Sequence, residues 1–258
     1  MRLEEKILSH AGRLRGTVGV AIKSLTRDYS FFINAHETFH AASIIKVPII
    51  IELYRQAGER ILSLDEEVIL RDGDKIDGAG ILMEMHSGLT ITLRDCARLM
   101  IVISDNTASN ILIDRLGPDS INECIRRLGM NGTWLRKKFM IPLSDPSIIN
   151  VTTPFDTMVM LEKLYGKEIL SPSMTDEVIG ILCRQQYNEK IPLLLPEGLQ
   201  IAHKTGEVTG VRHDTGIVFL RDNPYAICVL TKNVADHLEA DRVIAEISRD
   251  THDFFAAS

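Results

Sequence analysis

The chain has 258 residues, a formal net charge of -6 and a pI near 5.8, with 45% hydrophobic and 25% charged residues. That length suits one large or two-lobed unit with a sizeable core, and the absence of any lysine- and arginine-rich run argues against a nucleic-acid partner. No apolar run reaches membrane-spanning length, which argues against a membrane partner, and residues 1–6 lack the apolar core of a secretory signal. The sequence as written therefore reads as cytoplasmic, although a chain trimmed of a leader would read the same.

Taken in order, residues 2–14 carry a helical stripe at Leu3, Ile7, Leu8 and Ala11. Residues 17–22 and 29–33 read as two strands of an antiparallel hairpin, because the link between them is short. A helix is expected from Ser43 to about Tyr54 or Ala57. The middle of the chain is mostly helical, with periodic stretches at 93–103, 107–116, 120–128, 154–164 and 172–182. These carry start and stop signals such as Gly117-Pro118 and Thr152-Thr153-Pro154. Residues 131–150 have no clear period, contain Pro142 and Pro146, and read as a long functional or packing loop. Strands return at 199–203, 215–220 and 225–230, and an amphipathic helix over 236–254 closes the chain.

Strands at both ends with helices between imply an α+β fold. Its antiparallel sheet is built from both chain ends and flanked by terminal helices, with an all-helical subdomain inserted. The expected division is 1–52 with 196–258 for the sheet unit and 53–195 for the insert, with the active site between them. Cys96, Cys124, Cys183 and Cys228 are scattered among apolar neighbours without a CxxC pair, and read as free thiols.

The chemistry centres on Ser43-Ile44-Ile45-Lys46, a serine and a lysine one helical turn apart. A serine hydroxyl needs a neighbouring base. A lysine serves as one only when burial or a second cation lowers its pKa. The pair alone is also an ordinary helix start. Two further motifs change that weighting: Ser104-Asp105-Asn106 at a bend between helices, and Lys204-Thr205-Gly206 at the end of an expected strand. In that order the three match the set described for class A β-lactamases and penicillin-binding proteins.

On these residues the chain resembles a class A β-lactamase-type serine hydrolase over most of its length. The run from Ser104 to Asn110 is similar to that family's SDNTAxN run, Thr152-Thr153-Pro154 to its TTP helix start, and Gly210 to Asp214 to its Gly-x-x-x-Asp stretch. The resemblance implies that Ser43 is acylated, that Lys46 takes its proton, and that Lys204 helps to keep the Lys46 amine neutral. Ser104 is expected to relay a proton to the leaving atom, and Asn106 to bind Lys46 and a substrate amide. The backbone N–H groups of Ser43 and Glu207 are expected to hold the oxyanion. Lys204, Thr205 and Arg212, beside Gly206, are expected to bind the carboxylate of a small-molecule substrate. No metal and no organic cofactor is required, and the oligomeric state is not readable.

One departure stands out. The family carries a glutamate before the TTP helix that activates the water clearing the acyl-enzyme. Residues 136–150 contain none, and Asp145 is their only carboxylate. Asp145 is thus a candidate for deacylation or an ordinary turn residue. Three readings stand: a hydrolase of a β-lactam or related amide or ester, intracellular esters included; a penicillin-binding-like acceptor or sensor with slow deacylation; and, remotely, a zinc peptidase through His36-Glu37-Thr38-Phe39-His40. That last signature requires a helix, for which the segment has no room. His203 and His213 flank the Lys-Thr-Gly stretch, as cleft or packed residues.

Overall fold

The structure is a computed structural model that describes residues 2–142 and 144–257. Both chain ends supply the main sheet, as expected. β1 (Thr17–Ser24) and β2 (Ser30–Ile33) form the early hairpin, and β7 (Ile201–Val208), β8 (Val211–Val218) and β9 (Tyr225–Lys232) follow late in the chain. The order is β2-β1-β9-β8-β7, every pairing antiparallel, with β1 joined to β9 from Thr17–Lys232 to Ser24–Tyr225.

The period of two along each strand divides the core between the two faces of the sheet. Val20, Ile22, Ile227 and Val229 point to one face, where they pack with α1 (Leu3–Ala11) and α8 (His237–Ala256) through Ile7, Val243, Ile244 and Ile247. Ala21, Ala226, Cys228 and Leu230 point to the other, where they join a cluster continuous with α2 (Lys46–Gly58) through Ile49 and Ile50. Because both faces are covered, β1 and β9 read as near-continuous buried runs.

Between the two halves of the sheet lie α3 (Leu93–Val102), α4 (Asn106–Leu116), α5 (Pro118–Arg127), α6 (Pro154–Tyr165) and α7 (Pro172–Leu182). The start signals read from sequence act as caps. Thr153 Oγ1 accepts from Asp156 N–H at 3.1 Å, with Pro154 in the first turn. Two small ladders accompany them: β3 (Phe39–His40) with β6 (Val151–Thr152), and β4 (Glu67–Ile69) with β5 (Thr90–Thr92). The expected boundary at residue 52 falls inside α2. α6, counted with the helical insert, packs instead on β1 and β9.

The strand positions of the C-terminal half differ from expectation. β7 runs on to Val208 and a two-residue turn, Thr209-Gly210, leads into β8 at Val211. Lys204, Thr205 and Gly206 therefore lie inside β7 rather than at its end. Buried polar residues at 203–205 hide the apolar alternation that marks a strand. Among the described residues, no helix is long and apolar enough to cross a membrane.

Gly19 shows how tightly the layers meet: a Cβ there would lie 2.6 Å from Pro154 Cγ and 2.8 Å from the Phe39 ring. Gly19→Ala is expected to lower stability by about 1–3 kcal/mol through overpacking. Gly73→Ala, where a Cβ meets nothing within 4 Å, should leave the denaturant midpoint nearly unchanged.

Candidate active site

Ser43 sits in a 3₁₀ turn, Ala42–Ile45, that leads directly into α2 at Lys46. The sequence suggested an α-helical start; the 3₁₀ turn serves the pair better, because it eclipses positions i and i+3. Ala42 holds a left-handed φ of 45°, a conformation that costs a non-glycine residue roughly 1–2 kcal/mol. Its N–H donates to His40 Nδ1 at 2.8 Å, which anchors the turn. That bond fixes the neutral tautomer of His40 with its proton on Nε2. Burial, then the nearby Lys137 charge, lowers the His40 pKa in accord.

The 3₁₀ turn lies flat on β7. A Cβ at Gly206 would touch Ala42 Cβ and Ile44 Cγ1, each at 3.2 Å, so the glycine permits the close approach. The hairpin register aims a donor at the same place. A two-residue turn makes Val208 and Val211 a hydrogen-bonded pair, so Glu207 and Arg212 form the next, non-bonded one. β7 is an edge strand, and the Glu207 N–H thus points off the sheet toward Ser43. Consistently, the Arg212 N–H turns the other way, to Thr231 Oγ1 on β9 at 2.9 Å. The Ser43 N–H, in the first turn of its helix, has no intrahelical acceptor.

Lys46 is fully buried, and its amine donates to the Ser104 carbonyl at 2.7 Å, Ser104 Oγ at 3.1 Å and Asn106 Oδ1 at 2.9 Å. Lys204, also fully buried, reaches the same Ser104 Oγ at 3.1 Å and the Thr205 carbonyl at 2.9 Å. Burial and the Lys204 charge push the Lys46 pKa well below the usual lysine range, with Asp105 opposing. Burial brings Lys204 down to about 7, against the pull of Asp214. Ser104 itself holds a φ of 57°, a second strained residue at the centre of the cluster.

Asp105 ties this centre to its surroundings. Its Oδ1 accepts from Ala108 N–H at 2.8 Å, capping α4, and its Oδ2 accepts from Ile81 and Leu82 N–H at 2.7 and 2.8 Å. Across the cleft, the loop before α6 is pinned by Asn150, whose Oδ1 accepts from Arg136 and Lys137 N–H at 2.7 and 3.0 Å. Asn110 does the same for Phe139. The Phe139 ring then lies 4.3 Å from the Lys46 amine.

Two cavities open on either side of Ser43. One, of about 320 Å³, is lined by Ser104, Thr205, Tyr187 and Glu189 as well as Ser43 and Glu207. The other, of about 600 Å³, runs under the loop past His40, Lys137, Phe139 and Val208.

The structure thus brings Ser43, Lys46, Ser104, Asn106, Lys204, Thr205, Gly206 and Glu207 together. It does not bring Arg212 or Asp145 to the cleft. The Arg212 guanidinium pairs with Glu207 and lies 3.7 Å from Asp241 on α8, outside both cavities. Asp145 is at the surface, accepting from Ser147 N–H at 2.9 Å and Ser147 Oγ at 2.6 Å, as a turn-forming aspartate does. His203 and His213 are packed histidines: His203 is bound by Asp214 at 2.9 Å and Asn188 at 3.1 Å, and His213 by the His40 carbonyl at 2.8 Å. The His-Glu-x-x-His stretch spans a turn and β3, so no helix carries its two histidines. His36 rests on Phe155 and Glu37 pairs with Lys232.

Sequence reasoning weighed His40 only as a zinc ligand, not as the acceptor that anchors Ala42, and it missed Phe139, Tyr187 and Lys190 as residues of the site. Lys190, fully buried, pairs with Glu189, Glu207 and Asp241. No periodic pattern or motif flags the last three; only the tertiary fold gathers them.

A sequence profile of the β-lactamase enzyme family matches residues 2–255. The chain belongs to that family, as a serine hydrolase of the β-lactamase type. It is 24% identical to the extended-spectrum β-lactamase PER-1 of Pseudomonas aeruginosa, over 98% of this chain and 87% of that protein. Among solved structures, a β-lactamase from Sphaerobacter thermophilus superposes with a TM-score of 0.93 at 31% identity, covering 99% of this chain and 97% of the other. A mutant of PBP-A, in an acyl-enzyme complex with penicillin G, gives 0.91 at 29% identity, with 99% and 97% covered.

The anchoring of the Ser43 turn by His40 has a direct test. His40→Phe leaves the buried Ala42 N–H without an acceptor and is expected to cost about 1–3 kcal/mol. His40→Asn, whose Oδ1 lies near the position of Nδ1, should recover most of that loss in chemical denaturation.

Proposed function

We propose that the chain hydrolyses a β-lactam or a related amide or ester through an acyl group on Ser43, with deacylation as the slow step. The observation that carries the reading is the single oxygen, Ser104 Oγ, that two buried lysines share, one of which, Lys46, lies one turn after Ser43. Neutral Lys46 takes the Ser43 proton as the hydroxyl oxygen bonds to the carbonyl carbon. The oxyanion that forms is held by the Ser43 and Glu207 N–H groups, each typically contributing about 3 kcal/mol. The proton passes from Lys46 to Ser104 and on to the departing nitrogen or oxygen as the acyl bond breaks. Lys204 and the Thr205 hydroxyl receive a substrate carboxylate in the smaller cavity. The Arg212 guanidinium, spent on Glu207 and Asp241, takes no part. Asn106 keeps Lys46 in place and offers its amide to the substrate. In this proposal the cleft lies between a sheet unit (1–52 with 196–258) and a helical unit (53–195), and the continuous core makes them one body.

The reading of slow deacylation rests on the loop. It offers no glutamate, its one carboxylate is engaged in a turn, and the Phe139 ring fills the space beside Lys46. Loss of a general base typically costs about a hundred- to ten-thousand-fold in rate.

Rapid mixing with benzylpenicillin, followed by intact mass, is expected to show a burst of one adduct on Ser43 and then slow steady turnover. Ser43→Ala should form no adduct, and consumption of penicillin by that variant would sink the mechanism. A permanent adduct without turnover would instead make the chain an acyl acceptor. Phe139→Glu should shorten the adduct lifetime by about tenfold or more.

The pH profile has a definite sign. Acylation requires neutral Lys46, so its rate falls on the acid side as Lys46 gains a proton. Lys204→Met removes a positive neighbour, which raises the Lys46 pKa, and the acid limb should move to higher pH. An unmoved limb in the pH dependence of the acylation rate would contradict the coupling.

A further inference from the structure

We propose that Lys137, assisted by His40, forms a subsite for an anionic substituent on the acyl side of the substrate. This rests on the reading that Ser43 attacks a small carbonyl compound. The two cavities divide the substrate. Ser104, which hands the proton to the departing atom, lines the smaller one with Thr205, so the leaving side lies there. The acyl side then occupies the cavity of about 600 Å³ under the loop.

The charges on that larger cavity do not cancel. Glu207 is neutralised by Lys190 and Arg212, and Lys138 by Asp114 at 2.9 Å. Lys137 is half-buried, and among the described residues its amine makes no hydrogen bond and no ion pair. A half-buried cation with no counter-ion attracts an anion more strongly than an exposed one does, because water screens it less. His40 Nδ1 is taken by Ala42 N–H, so its Nε2–H is the remaining donor on the same cavity. Phe139, Met140, Ile141, Pro142 and Val208 supply apolar walls, the setting in which a few polar groups fix a ligand's orientation. The site is preorganised: Asn150 clamps the Lys137 N–H and C=O at 3.0 Å each, so the backbone stays in place whatever side chain it bears. The ligand class is an acyl group bearing a carboxylate or similar anion next to an aromatic or aliphatic body.

Benzylpenicillin and carbenicillin differ only by a carboxylate on the acyl side chain, and their acylation rates at low and high salt provide the test. The wild-type chain should favour carbenicillin, and less so at high salt. Lys137→Gln should slow carbenicillin by about tenfold and leave benzylpenicillin within about twofold. Equal rates in the wild type, or equal losses for both compounds in the variant, would overturn the subsite. Absence of an adduct with either compound would count against the proposed function instead. The subsite is then decided by equilibrium binding of 2-phenylmalonamate against neutral phenylacetamide. Tighter binding of the anion that is lost in Lys137→Gln supports it, and equal affinities overturn it.

Discussion

Two fully buried lysine amines meet on one hydroxyl oxygen, and the charge of one disfavours the charge of the other. Each lies 3.1 Å from Ser104 Oγ, so the two nitrogens are at most 6.2 Å apart. At an effective dielectric constant of about 20, two unit charges at that distance repel by about 3 kcal/mol, in addition to the desolvation that each suffers alone. One proton is therefore held weakly. Lys204 keeps Asp214 as a nearby counter-charge, while Asp105 is what favours the charged form of Lys46. An amine whose charge is disfavoured, one 3₁₀ turn from a serine, is what the proposed acylation requires.

Much of the surrounding architecture holds this arrangement against its own cost. The left-handed backbones of Ala42 and Ser104 are strained, and each is held by neighbours. His40 and β7 secure the first, and Lys46 with the Asp105-bound segment secures the second. Strain of this kind persists only where the surroundings over-determine it. The sheet contributes through parity. A two-residue turn decides which N–H groups of β7 face outward, and Gly206 lets the Ser43 turn approach them.

The legibility of the sequence followed the range of the interactions. Helices with period and caps, such as α3, α6 and α8, were readable to within a residue or two, because their signals are local. The three motifs were readable as well, since each is contiguous. The β7–β8 turn was not: its strands carry buried Lys204, Thr205, His213 and Asp214 where apolar residues mark a strand. The roles expected of Arg212 and Asp145 depended on where their side chains go, and the pairings with Glu207 and Ser147 are set by tertiary and turn geometry. Phe139 beside Lys46 is the converse case, a contact between loop and helix that no spacing announces.

The proposed acylation turns on the protonation of Lys46, which can be observed without substrate. Lysine side-chain NMR, with ¹³C at Cε and assignment by Lys46→Arg, reports the charge state of each amine as pH is raised. The expected result is a Lys46 signal that loses its proton at a pH well below that of the exposed lysines, and that returns to the charged form when the solution is acidified. A Lys46 signal that stays at the charged position until pH 9 or above would contradict it.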